Sequence, residues 1–538
     1  MRIIPSPKKY TGTEAPISLG ERLTVSLEGE VASRLGTAVR ELLSVYSPEL
    51  SSTGANVILR ADYASDKAEA YTVSVADGCI TARFSDFLGG RNALATIAQL
   101  LELHGGGIYA PEVEIEDYPD GSFRAFMHDV GRKYVPMDEL RLHLLTMAKF
   151  KMNVLHFHFS EAVGFGIMLE GFPDLVGPGG MQYTEEDIKE LVAYAEALGI
   201  DVIPEIDVPG HAYSITREYP GTACDCVSGE PSQGWAMCAG SDETYELLDR
   251  LIERCTHIFG SKYFHIGTDE ISMTDLVRTP KPVADWMRCS RCLAVMEREG
   301  ITDEVEMFYY FLRRVYAIVK KHGRRLMMWN DWIDISKSPD LPRDILIEFW
   351  RVAAPTRGPH IGCSMQRFLE EGFTVVNAHY PDTYIDLYVD YVRLRDWSYN
   401  RQPADDTNTP GKIIGGDVPA WDVHDHYCQS IPVSIALFGD KLWNSVTDWG
   451  EDFLPTVSKA LLGDPDLCIF DYTREVVCLD DEHRIWRDDI DRASLTECLS
   501  AIHSIDPLHQ YCRRTYLSLL ALQPASGESS VVIEREPT

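Results

Sequence analysis

The sequence predicts an α/β protein: a (β/α)8 TIM barrel, preceded by a small α+β domain and followed by a short, mainly helical C-terminal region. Three observations carry this expectation. From Phe123 to about Asn444, eight short apolar runs alternate with amphipathic helical stretches. No glycine-rich nucleotide fingerprint follows any of those runs, which disfavours a doubly wound open sheet. The chain has 538 residues, more than one ordinary core accommodates, so two or three domains are expected. The boundaries read as 1–118 for the N-terminal domain, 119–445 for the barrel and 446–538 for the C-terminal region.

In the first domain, Tyr71, Val73 and Val75 alternate with polar residues, as do Ile80, Ala82 and Phe84 beyond Asp77-Gly78. That is a hairpin pattern. Gly89-Gly90 opens a helical run with Leu94, Ile97, Leu100 and Leu101 at helical spacing, ending in Gly105-Gly106-Gly107. Asp117-Tyr118-Pro119-Asp120-Gly121 reads as the boundary to the barrel. The eight strand-like runs are 123–129, 153–159, 201–207, 263–270, 325–331, 345–350, 373–378 and 412–421. Leu140, Leu144 and Met147 share one face of the helix between the first two, and Thr184, Ser241 and Asp303 are N-cap candidates for later helices. After residue 445, Leu495, Leu499, Ile502 and Ile505 mark a helix, and the last dozen residues are polar enough to fray. No internal repeat is present.

Composition excludes several partners. Hydrophobic residues make up 45% of the chain, a globular value, and the formal net charge is −33. Such a field repels nucleic acid and anionic membrane surfaces. No run of about eighteen apolar residues exists to span a bilayer, and the N-terminus lacks a signal-peptide pattern. The 13 cysteines, odd in number, fit reduced thiols in a cytoplasmic protein. No cofactor is expected, and a homo-oligomer is left open.

Catalytic groups of a barrel come from the C-terminal ends of its strands. Those ends collect His128 and Asp129; His156, His158 and Glu161; Glu205, Asp207 and His211; His265, Asp269 and Glu270; Trp329, Asn330 and Asp331; Trp350; Tyr384 and Asp386; and Trp421. Acids, histidines and three tryptophans on one rim suit a sugar site, because aromatic faces pack on pyranose rings and carboxylates accept hydroxyl protons. Any one strand-end acid is more often a satisfied cap than a catalyst; the joint placement is the argument.

These residues resemble glycoside hydrolase family 20, the β-N-acetylhexosaminidases. The likeness rests on Ile3-Ile4-Pro5-Ser6-Pro7, Phe123-Arg124-Ala125 through Asp129-Val130-Gly131-Arg132, Lys151 to His158, Ile203 to His211, and Phe264-His265-Ile266-Gly267-Thr268-Asp269-Glu270. It implies exo-hydrolysis of glycans or oligosaccharides ending in β-linked N-acetylhexosamine, by substrate-assisted retention. By this resemblance Glu270 is the general acid/base, Asp269 holds the acetamide N–H and balances the oxazolinium charge, and Tyr384 donates to the acetamide oxygen. Arg124 is implied to bind ring hydroxyls, Asp386 the outer hydroxyls, and Trp329, Trp350 and Trp421 to wall the pocket. His211 is implied as a further site contact, with Asp207 and His158 tuning the pair from behind. An ionised neighbour and partial burial are expected to raise the Glu270 pKa.

The sequence also departs from the family pattern. Thr268 stands where a second glycine is usual. Ser160-Glu161-Ala162-Val163-Gly164-Phe165 replaces Ser-Asp-Asp-Gln-Gly-Trp, and Val423, beside Asp422, replaces a glutamate. The last change predicts either relaxed GlcNAc/GalNAc discrimination or a preference for a modified sugar, with Asp386 as the main remaining outer acceptor. A glycosidase with a carboxylate nucleophile and a non-catalytic sugar-binding relative are the competing readings. Cys224-Asp225-Cys226 and Cys238 follow the third strand, and Cys289-Ser290-Arg291-Cys292 follows the fourth. Neighbouring barrel loops meet, so a structural zinc on Cys224, Cys226, Cys289 and Cys292 is one reading, and free thiols the plainer one.

Overall fold

The computed structural model describes residues 3–226, 236–271, 285–333, 335, 340–351, 363–380, 382–385, 391–400, 412–421, 431–463, 497, 499–500 and 504–521. The alternating segment around Asp77-Gly78 forms the predicted hairpin, Tyr71–Ala76 antiparallel to Cys79–Phe84. Asp77 and Gly78 sit at φ 51° and 72°, the left-handed pair of a type I′ turn. The following helix, Phe87–Leu100, begins two residues before Gly89 because Asp86 caps it, accepting from Gly89 N at 2.8 Å. It covers the apolar face of the hairpin. The sheet has eight strands, ordered Lys9–Gly20, Gly107–Asp117, Tyr71–Ala76, Cys79–Phe84, Val57–Arg60, Thr24–Glu28 and Glu49–Leu50, with Glu102–His104 paired to Gly107–Asp117.

The eight later runs close into a parallel barrel: β1 (Phe123–Asp129), β2 (Val154–His158), β3 (Asp201–Glu205), β4 (Tyr263–His265), β5 (Arg325–Trp329), β6 (Leu346–Phe349), β7 (Thr374–Asn377) and β8 (Ile413–Ala420). Each pairs with its neighbour in chain order, and β8 returns to β1. The lower interior is apolar, filled by Phe123, Ala125, Val154, Ile203, Tyr263, Met327, Leu346 and Val376. The next layer is polar and buried: His156, Glu205, His265, Glu348 and Asp417. Thr184 caps the Glu185–Ala197 helix in a capping box with Asp187, and Asp303 caps Glu304–Lys321. Ser241 precedes the Asp242–Thr256 helix without a side-chain capping bond; its hydroxyl bonds Gly221 O instead.

Three expectations are corrected. β4 stops at His265, not Glu270, because Gly267, Thr268 and Glu270 adopt positive φ and turn the chain out of the sheet. His128 does not face the mouth. It follows Arg124 and Phe126 in pointing outward, where its Nε2 lies 3.2 Å from His143 Nδ1 of the Met137–Lys149 helix. Ile505 is exposed and lies outside any helix, ahead of Pro507–Ala521; Leu495 and Ile502 fall outside the described residues.

Candidate active site

Strand alternation sets which side chains reach the barrel mouth. On β1, Phe123, Ala125 and Met127 point inward and Arg124 points out. Arg124 is fully buried at the start of the strand, where its guanidinium meets the Glu69 carboxylate at 2.6 and 3.2 Å and donates to the carbonyls of Gly121 and Lys151. It ties the barrel to the N-terminal domain and is not a sugar-binding residue. The arginine from this segment that reaches the mouth is Arg132, three residues past Asp129. It pairs with Asp129 at 2.8 Å and Glu161 at 2.6 Å, and its guanidinium lies 5.1 Å from the Trp421 ring centroid. Strand parity, already legible in Arg124-Ala125-Phe126, would have distinguished the two.

The β4 turn builds the carboxylate pair. Gly267 sits at φ 64°, and a Cβ there would lie 1.8 Å from Asp207 Oδ1, so only glycine lets the Asp207 carboxylate under the turn. Asp207 Oδ1 accepts from Thr268 N at 3.2 Å, the Thr268 hydroxyl donates to Trp329 O at 3.3 Å, and Glu270 N donates to Asp331 Oδ2 at 3.0 Å. Pinned this way, Asp269 and Glu270 share one pocket although they are adjacent in sequence. Both reach His211: its Nε2 lies 3.6 Å from Asp269 Oδ2 and 3.6 Å from Glu270 Oε2, while Nδ1 binds Glu161.

This geometry reverses one electrostatic expectation. Burial, reinforced by Glu270 and Asp331 against the pull of His211, pushes the Asp269 carboxyl up to about 6. Burial also works to raise Glu270, but the His211 hydrogen bond and the charges of His211, Arg351 and Arg132 prevail and hold it below the usual range. Glu270 therefore differs from the sequence expectation because three cations surround it, not only an anionic neighbour. Burial disfavours a charged His211, yet Glu161, Asp207 and Asp269 outweigh it and raise its pKa well above the ordinary value. Glu161 falls to about 2: His211 and Arg132 overcome its burial. Asp207, buried beside Asp269, is raised well above the usual range by burial first and Asp269 next.

The floor and walls are aromatic. Trp329 is buried and donates from Nε1 to Glu205 Oε1 at 3.0 Å; Glu205 also meets His158 at 2.6 Å, His156 at 2.9 Å and His265 at 3.0 Å. His158 stands edge-on to Trp421, centroids 4.8 Å apart. Tyr384 packs between Trp350 at 6.1 Å and Trp421 at 6.4 Å, and Trp329 lies 5.8 Å from Trp421. Arg351 stacks on Trp350 and clamps Asp331 at 2.7 and 2.8 Å. Thus Asp269, Glu270, Tyr384, His211, Asp207, His158, Trp329, Trp350 and Trp421 converge at one mouth. Arg132, Glu161 and Arg351 join them, unassigned by the sequence reading. Asp386, Asp422 and Val423 lie outside the described residues.

Ligand atoms come within 4.8 Å of one another in His156–His265–Glu348, His158–Glu205–Asp207, Glu161–Asp207–His211 and His211–Asp269–Glu270, all parts of this histidine–carboxylate network. A separate group is Cys224, Cys238, Cys289 and Cys292. Cys226, expected in such a group, is not among the four, and Cys238 takes its place.

Residues 122–422 match the family described as glycosyl hydrolase family 20, catalytic domain, and residues 1–118 match glycosyl hydrolase family 20, domain 2. A β-hexosaminidase of Porphyromonas gingivalis is 32% identical over 245 residues, 43% of this chain and 30% of that protein. One of Vibrio furnissii is 27% identical over 421 residues, 73% of this chain and 65% of that protein. The chain thus spans less than two thirds of either relative's length. Among solved structures, a GH20 exo β-N-acetylglucosaminidase from Vibrio harveyi in complex with N-acetylglucosamine superposes with a TM-score of 0.73 at 22% identity, covering 88% of this chain and 78% of that one. A β-N-acetylhexosaminidase from Bacteroides fragilis gives 0.70 at 22% identity, over 86% of this chain and 95% of that one.

Proposed function

The chain belongs to glycosyl hydrolase family 20, and from that premise we propose that it is a retaining exo-β-N-acetylhexosaminidase acting on glycans that end in N-acetylhexosamine. The observation that carries this is the Asp269–Glu270 pair turned into one aromatic-walled pocket and joined by His211. In the first step the bond from the anomeric carbon to the leaving oxygen breaks. Glu270 gives that oxygen its proton, and the substrate's acetamido oxygen bonds to the anomeric carbon. Asp269 accepts from the acetamide N–H, and its charge offsets the oxazolinium. Tyr384 donates to the acetamido oxygen and so orients it. In the second step Glu270 takes a proton from water, whose oxygen bonds to the anomeric carbon as the bond from that carbon to the acetamido oxygen breaks, restoring the acetamide with net retention.

The cations around Glu270 refine the proton inventory. A His211 imidazolium beside a Glu270 carboxylate and a neutral His211 beside a Glu270 carboxylic acid differ by one proton shift across their 3.6 Å contact. His211, held charged by Glu161, is the reservoir from which Glu270 is protonated. Trp329, Trp350 and Trp421 exclude water and support the ring.

Aryl β-glycosides of GlcNAc, GalNAc and glucose test the reading. Hydrolysis of the acetamido sugars with inhibition by a thiazoline is expected, and comparable turnover of the glucoside would overturn it. Glu270→Gln should cost on the order of 10²–10⁴ in rate on poor leaving groups and less on activated ones. An equal loss on both would remove Glu270 from the acid role.

A further inference from the structure

The four cysteines brought together beside the barrel take no part in the chemistry just described. We propose that Cys224, Cys238, Cys289 and Cys292 bind one zinc ion in a tetrahedral structural site that clips the loop after β3 to the loop after β4. All four side chains are buried, and their sulfur atoms lie within 4.8 Å of one another. Cys238 Sγ is 3.6 Å from Cys289 Sγ and 3.5 Å from Cys292 Sγ. Zinc–sulfur bonds of about 2.3 Å at tetrahedral angles place sulfurs roughly 3.8 Å apart, so the two Cys238 edges are close to those of such a site and the remaining separations, all within 4.8 Å, need only a small contraction. A disulfide needs sulfurs about 2.05 Å apart, and all four thiols are free.

The surrounding backbone holds this arrangement from both sides. An antiparallel bridge between Ala223 and Met237 sets Cys224 and Cys238 next to each other, and Cys238 N donates to Thr222 O at 2.7 Å. From the other loop, Cys289 is the N-cap of the ten-residue helix Ser290–Glu299, and Cys292 lies in its first turn. The Cys-x-x-Cys spacing thereby aims both sulfurs at one point, where the positive helix end favours thiolate. Gly240 permits the close approach: a Cβ there would lie 2.5 Å from Cys292 N. Arg291 donates to Gly221 O at 2.8 Å and to Ala223 O, crossing between the loops, and adds positive charge beside Cys238 and Cys289. A zinc tetrathiolate carries two net negative charges, which that guanidinium and the helix end offset. Ser290 N donates to Asp225 Oδ1 at 2.9 Å, and Trp286 Nε1 to Met237 O at 2.8 Å. With four protein ligands the coordination is closed, as a structural zinc requires, and no position is left for substrate or water.

The clip bears on the active site through the chain. Met237 N donates to Pro209 O at 2.8 Å, two residues before His211, and the β4 loop leaves the barrel through Asp269 and Glu270. The ion therefore anchors the two loops that carry His211 and the Asp269–Glu270 pair without touching those residues.

The full chain, purified with zinc supplied and without chelators, is expected to hold about one zinc per chain by elemental analysis. Cys289→Ser and Cys292→Ser should lose most of that zinc and melt lower. Cys226→Ser, which changes the neighbouring cysteine outside the cluster, should keep zinc and melting temperature unchanged. Should the cluster variants fail to fold, the parent protein decides: a mercurial thiol reagent should release its zinc to a chromogenic chelator and lower its melting temperature. Cobalt(II) in place of zinc should show the absorption of a tetrahedral thiolate site. Metal-free parent protein with four titratable thiols, a disulfide in the cluster, iron in place of zinc, or zinc lost with Cys226→Ser but retained with Cys292→Ser would each overturn the assignment.

Discussion

One imidazolium facing four carboxylates governs the site at the scale of single residues. His211 meets Glu161, Asp207, Asp269 and Glu270, and it is the charge of this whole set that titrates. Asp269 must be ionised to balance an oxazolinium, and burial keeps its pKa near about 6. The acidic limb of kcat/KM is therefore expected near pH 6. The alkaline limb reports loss of the proton shared by His211 and Glu270. His211→Asn leaves that proton on Glu270 alone and should move this limb toward acid by about one unit or more. A superimposable pH profile would show that His211 does not hold the proton. The same shift has a stability sign. The folded chain holds the Asp269 proton to about 6, whereas the unfolded carboxyl loses it near 3.9. Stability from this group is thus fullest below the unfolded value and falls as pH rises through the folded one, by up to about 3 kcal/mol. Asp269→Asn, permanently neutral, should raise the urea midpoint over the parent at pH 8 but little at pH 4.5, while abolishing most turnover. An equal gain at both pH values would contradict the raised pKa.

Among elements, the end of β4 is where local preference and function conflict. Thr268 is β-branched yet lies at φ 86°, a conformation that costs on the order of 1–3 kcal/mol for such a residue. Its backbone N–H and hydroxyl are both satisfied, by Asp207 and Trp329 O. Thr268→Gly relieves the strain but loses about 1 kcal/mol of hydrogen bonding and gains unfolded-state entropy, so stability should change by about 1 kcal/mol or less, with activity retained. Gly267→Ala is the opposite case. Its Cβ would strike Asp207 Oδ1, and the forced shift should cost roughly 2–4 kcal/mol and at least about 10² in kcat/KM. Steady-state kinetics and melting of the two variants check this, and a fully active Gly267→Ala protein would show that Asp207 need not sit beneath the turn.

For the whole molecule, the N-terminal domain is bound to the barrel by buried charge. Glu69 pairs with Arg124 and accepts from Asn92 at 3.0 Å, and Asp117 pairs with Lys151 at 2.9 Å beside Tyr71 and Trp443. Glu69→Gln leaves the Arg124 charge without its counterion, and breaking such a pair costs roughly 3–5 kcal/mol. The melting temperature should fall with KM unchanged in the surviving folded protein. Arg132→Gln, at the mouth, takes a cation from Asp129, Glu161 and Glu270 and should impair turnover in the folded protein as well as lower its melting temperature. A raised KM in Glu69→Gln without destabilisation would return Arg124 to the substrate.

What the sequence determined by itself is what short-range pattern encodes. Short apolar runs alternating with capped helices specified eight strands and their order, and strand ends marked Asp269, Glu270, Tyr384 and the three tryptophans as one rim. Parity within Arg124-Ala125-Phe126 even held the evidence that Arg124 turns outward. Only the tertiary structure decided matters that depend on distant segments meeting. Arg124 pairs with Glu69 of another domain, and Cys238 rather than Cys226 joins Cys289 and Cys292. Glu270 is held down rather than raised because Arg132 from the β1 loop, His211 from the β3 loop and Arg351 after β6 converge on it. A pKa or a ligand set sums interactions across space at distances of a few ångströms, and separation along the chain carries no record of those distances.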